Sequence, residues 1–151
     1  VKEKCNLNHS SKVVDAYAGV GTFTAIVSEE ALKVIAIEES GAAIKDANIN
    51  LAGLNNVEFI ESKTEHAILN LPFNPDAVIL DPPRYGCHIE VLKSILIKLP
   101  KRVVYVSCDP STLARDLSFL VKGGYTVIDV QPVDMFPQTH HIECVVTLET
   151  N

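Results

Sequence analysis

The sequence lacks several features that would define a membrane-spanning, exported or repetitive chain. It has no apolar run approaching the length that spans a bilayer, no recognisable signal peptide at its start and no internal repeat. Its four cysteines are widely spaced and form no C-x-x-C pair; their number is compatible with paired disulfides, but a reduced, cytosolic protein fits better. We therefore expect a single domain with free thiols, in the reducing environment of the cytoplasm.

Positive charge is also scarce. The chain carries 13 lysines and arginines against 19 acidic residues, a formal net charge of −6. This balance makes the chain poorly suited to holding a phosphate backbone alone, so a nucleic-acid substrate would need a basic partner domain. The segment before Lys12 does not look like the start of a domain. We expect residues 1–151 to be one domain cut from a longer protein.

Strand-like and helical patterns alternate along most of the chain, which is typical of an α/β fold with a mainly parallel sheet. The predicted strands are Lys12–Tyr17, Lys33–Ile37, Val57–Glu61, Ala77–Leu80 and Arg102–Val106. The predicted helices that follow them are Thr22–Ala31, Ser40–Ala52, Thr64–Asn70, Ile89–Lys98 and Pro110–Val121.

The end of the sequence breaks this alternation. Tyr125–Val130 and Ile142–Leu148 are both strand-like, and residues 131–141 between them leave no room for a crossover helix. Two strands joined in this way should be antiparallel. The resulting layout, a seven-stranded sheet of five α/β units closed by an antiparallel hairpin, resembles the Rossmann-like S-adenosylmethionine-dependent methyltransferases.

Cys108 lies at a position where α/β proteins bind ligands. The apolar stretch Arg102–Val106 ends just before it, and Asp109 and Pro110 are suited to cap and open a helix. The cysteine should therefore lie at the carboxyl end of a buried strand, which is the edge of open α/β sheets that holds ligands. An inert, half-buried thiol is the alternative.

A glycine-containing turn follows the first predicted strand. Gly19 and Gly21 permit a tight turn and close approach to a ligand, but the third glycine of a dinucleotide-binding motif is absent. Asp15 ahead of them suits a cationic ligand better than a pyrophosphate. Glu38 ends the second strand, where an acid accepts hydrogen bonds from ribose hydroxyls. Its neighbour Glu39 is the alternative.

A second candidate site follows strand four, in Asp81-Pro82-Pro83-Arg84. The two prolines stiffen the turn and hold Asp81 in a fixed place, as a binding or catalytic carboxylate requires. Arg84 is suited to a phosphate or a base edge, although a surface ion pair is equally compatible with the sequence.

Four stretches together resemble the RNA uracil-C5 methyltransferases, which make 5-methyluridine in tRNA or ribosomal RNA with S-adenosylmethionine. They are Asp15–Phe23, Asp81–Arg84, Ser107–Asp116 and Phe136–Cys144, and the likeness extends from about residue 12 to residue 149.

The resemblance implies that Cys108 is the nucleophile and Glu143 the general base. It puts Tyr17, Glu38 and Asp81 around the cofactor, with Asp81 also near the uracil. It further implies that an RNA-binding domain precedes this chain in the full protein, and that the isolated piece is weakly active or inactive.

Thiolate addition at C6 of uracil explains why this chemistry needs a cysteine, because it makes C5 nucleophilic. A base must then remove the C5 proton. His140 and His141 are adjacent, so on a strand they would point to opposite faces and chelate a metal poorly. We expect no metal.

Three alternatives remain open at this stage. A cytosine-C5 methyltransferase would carry a second cysteine where this chain has Pro82-Pro83. An amino-group methyltransferase would not use Cys108 in catalysis. The chain is alternatively a cofactor-binding module without turnover.

Overall fold

The computed structural model describes residues 1–135, 137–138 and 142–150. Its strands are β1 (Lys12–Ala16), β2 (Lys33–Glu38), β3 (Val57–Glu61), β4 (Ala77–Leu80), β5 (Arg102–Ser107), β6 (Tyr125–Val133) and β7 (Glu143–Thr150). Its helices are α1 (Lys2–Cys5), α2 (Thr22–Ser28), α3 (Gly41–Asn50), α4 (Thr64–Ala67), α5 (Ile89–Lys98) and α6 (Pro110–Lys122), with a 3₁₀ turn at Ile68–Asn70.

The seven strands form one sheet in the order β3-β2-β1-β4-β5-β7-β6. The first five strands are parallel to one another, whereas β7 is antiparallel to both β5 and β6. The predicted mainly parallel sheet with a terminal antiparallel hairpin is therefore confirmed. The strand order reverses between β1 and β4, and ligands of open α/β sheets bind at the carboxyl ends of the strands beside such a reversal.

Both faces of the central strands are buried, as continuous apolar strands require. Val14 and Ala16 of β1 pack with one core cluster, and Val13 packs with the other. One cluster includes side chains of α5 and α6, and the other includes side chains of α1 and α2. The sheet is consequently a rigid central layer whose carboxyl edge carries the loops.

The element bounds agree closely with those predicted, and the differences occur at element ends. Helix α2 ends at Ser28 instead of Ala31, α3 covers Gly41–Asn50, and β6 continues to Val133. Helix α1 was not predicted, because four residues are too few to show a helical period. Its Cys5 is 2% exposed and packs with Val13 and Val27 in the core.

The hairpin is irregular on its outer strand. The register of β6 on β7 shifts between Val127 and Asp129, so Ile128 forms a bulge. The predicted positions of His140 and His141 lie outside the described residues, as do Phe136 and Thr139 of the same motif. None of the helices in the described part of the chain has the length and apolarity to cross a bilayer.

We predict that the central strands dominate the stability of this fold. Ile79 is 0% exposed in β4, whereas Ile97 is 63% exposed on α5. Replacing Ile79 with alanine should lower the free energy of unfolding by about 2–5 kcal/mol, because it removes buried methyl groups and leaves a cavity. The matched control Ile97→Ala should change it by less than about 0.5 kcal/mol. Equal losses in urea titrations would contradict this assignment of the core.

Candidate active site

Four chain segments meet at the carboxyl edge of the sheet. Strands β1, β4 and β5 end there, and the antiparallel strand β7 begins there, with Cys144 opposite Ser107. Glu143 and Cys108 are therefore each one residue from a directly paired position. Asp81 follows β4, the next strand along.

These three residues line one cavity of about 460 Å³, which we call the cysteine cavity. Its other lining residues are mostly apolar: Val1, Phe23, Val106, Val133, Met135 and Val145. The volume is within the range of small-molecule sites. The strand alternation predicted for Glu143 and Val145 agrees with this placement, since Cys144 and Val146 belong to the core on the opposite face.

Cys108 lies between β5 and α6, as the sequence predicts, and its residue is partly exposed. Asp109 is the N-cap of α6, and its side chain accepts hydrogen bonds from the amides of Ser111 (3.0 Å) and Thr112 (2.9 Å). A hydrogen bond from the Ser111 hydroxyl, together with these two amide bonds, lowers the pKa of Asp109 to about 2. The cap fixes the backbone on which the thiol is mounted.

Asp81 stands at the mouth of the cysteine cavity, where its side chain is exposed. The surrounding protein nevertheless removes part of its hydration and raises its pKa to about 6, and the negative charge of Glu143 adds to the shift. Two acids that face one cavity repel each other, so the cavity favours a cationic ligand or a shared proton.

Asp15 is a buried carboxyl close to the same edge. It is 0% exposed, Oδ2 accepts a hydrogen bond from Thr24 at 2.6 Å, and Oδ1 has no partner. Burial raises its pKa to about 7; the hydrogen bond from Thr24 opposes this, while the charges of Asp81 and Glu38 reinforce it. A buried oxygen without a hydrogen-bond partner lowers the stability of the folded protein, and it indicates that a hydrogen-bond partner is missing at this position.

The glycine turn is held by an acid. Glu38 accepts the amide of Gly19 at 2.9 Å and the amide of Ser40 at 2.8 Å, while the amide of Gly21 donates to Ala18. Gly19 and Gly21 both have positive φ, and a Cβ at Gly21 would lie 2.7 Å from Leu51. Both glycine amides already have acceptors, so neither is available to a pyrophosphate.

A second, smaller cavity adjoins this turn, and we call it the tyrosine cavity. Its volume is about 110 Å³, and its lining residues are Tyr17, Glu39, Lys63, Thr64, Glu65, Pro83, Tyr85 and His88. Tyr17 has a φ of 66° and packs against the core, and burial raises the pKa of its hydroxyl. Arg84 is exposed and lines neither cavity.

The loop after Asp81 is held by one face of α6, which we call the holding face (Thr112, Arg115 and Asp116). Thr112 donates to the carbonyl of Arg84 (3.2 Å), and Arg115 donates to the carbonyl of Tyr85 (3.0 Å). Asp116 accepts the amide of Cys87 at 2.8 Å.

Asp116 also accepts the hydroxyl of Tyr105 at 2.6 Å and is 1% exposed. The sequence analysis assigned no role to this acid. The sequence could have indicated that Asp116 is buried, because it lies on the apolar side of α6 at helical spacing with Leu113, Leu117 and Leu120.

The residues around the glycine turn fit S-adenosylmethionine. The unpaired Oδ1 of Asp15 and the acids Glu38, Asp81 and Glu143 suit positive charge and hydroxyl donors, while the amides of Gly19 and Gly21 are already paired within the protein. No group of three potential metal ligands occurs among the described residues. A further cavity of about 400 Å³ lies at the opposite edge, beside Cys5, Asp76 and Arg102, and holds none of the predicted site residues.

The model of the tRNA (uracil-5-)-methyltransferase family matches residues 65–151, which is more than half of the chain. The chain belongs to this family. The match includes the Asp81 loop, Cys108 and Glu143. The resemblance inferred from the four sequence stretches is thereby confirmed at the level of the family.

Relatives of the family are similar over almost the whole chain. An RNA methyltransferase of Thermotoga maritima, named as uncharacterized, is 47% identical over 144 residues, covering 94% of this chain and 33% of its own. A second, from Gloeobacter violaceus, is 49% identical over 139 residues, covering 91% of this chain and 30% of its own. The chain thus spans about a third of the length of the curated relatives that it matches.

Solved structures share the fold. The Pyrococcus abyssi tRNA (uracil-54, C5)-methyltransferase, in complex with S-adenosyl-L-homocysteine, is 33% identical with a TM-score of 0.83, over 97% of this chain and 36% of that one. An rRNA methylase of Streptococcus thermophilus has a TM-score of 0.79 at 23% identity, over 97% of this chain and 91% of that one. The predicted Rossmann-like methyltransferase fold is confirmed. The roles of the individual residues remain predictions.

The raised pKa of Asp15 predicts a specific dependence of stability on pH. The native carboxyl holds its proton up to about pH 7, whereas the unfolded one releases it near its ordinary value of 3.8. This group therefore stabilises the native state at low pH, and that contribution is lost as pH rises through this window. Asp15→Asn should gain stability relative to the wild type, by on the order of 3 kcal/mol, between about pH 4 and pH 7. Urea unfolding of both proteins across that range checks this, and a constant difference would contradict it.

The hydroxyl of Tyr105 should contribute more to the free energy of unfolding than an ordinary buried hydroxyl, because its acceptor Asp116 is a carboxylate. Tyr105→Phe should lower the free energy of unfolding by about 1.5–3 kcal/mol. The control Tyr125→Phe removes a hydroxyl that donates to the neutral carbonyl of Pro100 at 2.8 Å, and should cost about 0.5–1.5 kcal/mol. A larger loss for Tyr125→Phe in denaturant titrations would be incompatible with a charged Asp116.

Proposed function

We propose that this chain is the catalytic domain of an enzyme that transfers a methyl group from S-adenosylmethionine to C5 of a uridine in tRNA or ribosomal RNA. One observation carries the proposal: Cys108, Asp81 and Glu143 face a single, largely apolar cavity. A cysteine and two acids around an apolar hollow of this size suit a flat pyrimidine and a nucleophilic mechanism. Membership of the uracil-5 family supports the same reaction.

The cofactor site in this proposal consists of Tyr17, Gly19, Gly21, Glu38 and Asp81. Glu38 keeps the glycine turn in place through the Gly19 amide and retains lone pairs for ribose hydroxyls. When bound, S-adenosylmethionine supplies an electrophilic methyl group on a positively charged sulfur. The negative charges of Glu38 and Asp81 favour that ligand through simple attraction.

Cys108 begins the reaction by adding its thiolate to C6 of the uracil, which forms a sulfur–carbon bond and leaves C5 electron-rich. Asp81, which lines the same cavity, accepts a hydrogen bond from the uracil edge in this proposal. Because a duplex would bury C6, the target base must leave its stack to reach the thiol.

Glu143 completes the reaction after C5 has gained its methyl group. As general base it removes the C5 proton, and the electron pair of that C–H bond re-forms the ring double bond while the sulfur–C6 bond breaks. Cys108 leaves as a thiolate and the methylated base is released. Val133 and Val145 line the same cavity as Glu143 and make its surroundings apolar.

The RNA is held by more than this chain in our proposal. The net charge of −6 disfavours unaided binding to a phosphate backbone, and the relatives are about three times as long. Arg84 is exposed next to the site and is free to meet a phosphate or a base edge. The isolated chain should therefore react slowly.

A cytosine-C5 mechanism is disfavoured by the surroundings of Cys87, the nearest cysteine to the Asp81 motif. Cys87 is 6% exposed, does not line the cysteine cavity, and burial raises the pKa of its thiol to about 12. A thiol in this state is a poor nucleophile.

The proposal predicts a covalent adduct with RNA that contains 5-fluorouridine, because fluorine at C5 cannot be removed as a proton. The wild-type chain, with S-adenosylmethionine present, should form a complex that survives denaturing electrophoresis. Cys108→Ala should abolish it, whereas the control Cys5→Ala, which changes a cysteine on α1, should keep it. Binding of S-adenosylhomocysteine, measured by calorimetry, should be unchanged in both variants.

Three outcomes would contradict the proposal in different ways. An adduct that persists in Cys108→Ala excludes this nucleophile. Methyl transfer to RNA by Cys108→Ala at the wild-type rate indicates an amino-group methyltransferase. Cofactor binding without adduct or transfer by the wild-type chain indicates a binding module.

A further inference from the structure

Tyr85 has an unusual environment for an aromatic residue. It is 70% exposed, while every other aromatic side chain in residues 1–135 is buried or half-buried. An exposed ring leaves apolar surface in contact with water, which is unfavourable, and it adds nothing to the packing of the core. A ring that is left out of the core in the loop that follows Asp81 is suited to contact another molecule.

The backbone under Tyr85 is held firmly, so the ring is presented in a defined place. Arg115 of the holding face donates to the Tyr85 carbonyl at 3.0 Å. The same face bonds the carbonyl of Arg84 through Thr112 and the amide of Cys87 through Asp116. Gly86 has a φ of 83°, and a Cβ there would lie 2.6 Å from Asp116. The loop thus crosses α6 closely and turns the Tyr85 ring outward.

Two arginines lie next to Tyr85, although the acids Glu39 and Glu65 also line the tyrosine cavity that it borders. The chain has three arginines, and two of them, Arg84 and Arg115, border Tyr85. The Arg115 side chain is 57% exposed despite its ion pair with Asp116. Exposed aromatic rings and arginine side chains are the groups with which proteins bind single-stranded nucleic acid.

We propose that the Tyr85 ring is a stacking platform for an unpaired base of the RNA, beside the base that enters the cysteine cavity. This inference rests on the proposed function. The same chemistry would suit the adenine of the cofactor, since Tyr85 also borders the tyrosine cavity. The large exposed fraction of the ring favours the RNA, because a base can approach it from outside the protein.

Fluorescence provides a direct test, because the chain contains no tryptophan. Tyr85→Trp introduces a single reporter that keeps a stacking surface. Its emission should be quenched by a short RNA hairpin with unpaired uridines in its loop, at low ionic strength. The control Ile97→Trp, at an exposed position near the end of α5, should show no quenching by the same hairpin.

Affinity measurements test the role of the ring itself. Tyr85→Ala should weaken hairpin binding at least about fivefold, the effect of losing one stacked base, and Tyr85→Phe should retain wild-type affinity. Calorimetry with S-adenosylhomocysteine should be unchanged in both variants. Weaker S-adenosylhomocysteine binding with unchanged hairpin binding would assign the ring to the adenine and overturn the proposal.

The adduct assay separates this inference from the proposed function. A hairpin containing 5-fluorouridine that forms the Cys108 adduct equally in the wild type and in Tyr85→Ala, with no quenching in Tyr85→Trp, would overturn the stacking role alone. A hairpin that yields neither adduct nor quenching with the wild-type and tryptophan proteins would overturn both.

Discussion

The antiparallel hydrogen bonds between β5 and β7 bring together the two ends of the candidate active site. A parallel final strand would begin at the opposite edge of the sheet and would carry Glu143 away from Cys108. Because β7 runs in the reverse direction, its first residue lies beside the last residues of β5. The register that pairs Ser107 with Cys144 also sets which face Glu143 occupies, since a slip of one residue would turn it into the core.

Acidic side chains dominate the electrostatics of this edge. Burial disfavours the charged forms of Asp15 and Asp81, and the negative charge of Glu143 adds to that effect at Asp81. Such an arrangement is unfavourable for the isolated protein and becomes favourable when a cation or a hydrogen-bond donor arrives. Glu38 contributes differently, since it uses its charge to hold the glycine turn.

Much of this architecture follows from the sequence. The strands and their order of appearance, the Asp109 cap with Pro110 behind it, and the position of Cys108 all depend on local patterns, which are readable without a partner strand. The meeting of Cys108 with Glu143 follows from one further rule, namely that a short connection forces an antiparallel pair.

The remaining features depend on contacts between distant residues. No local pattern links Asp116 to Cys87, 29 positions away, or Arg115 to Tyr85. Helix α1 is too short for a periodic signal, and its stability comes from burial of Cys5 against the sheet. The division of the edge into two cavities likewise depends on the path of the Asp81 loop, which α6 determines.

The bulge at Ile128 has a consequence for how these molecules behave in concentrated solution. Strand β6 is an outer strand of nine residues, and its side chains Ile128 and Val130 are exposed. A flat strand of that kind invites a second molecule to extend the sheet, which is the first step of aggregation. The bulge twists the strand part-way along, and Pro132 lacks an amide near its end. The bulge and the proline therefore interrupt the regular edge of β6, which disfavours the addition of another strand beside the hairpin that carries Glu143.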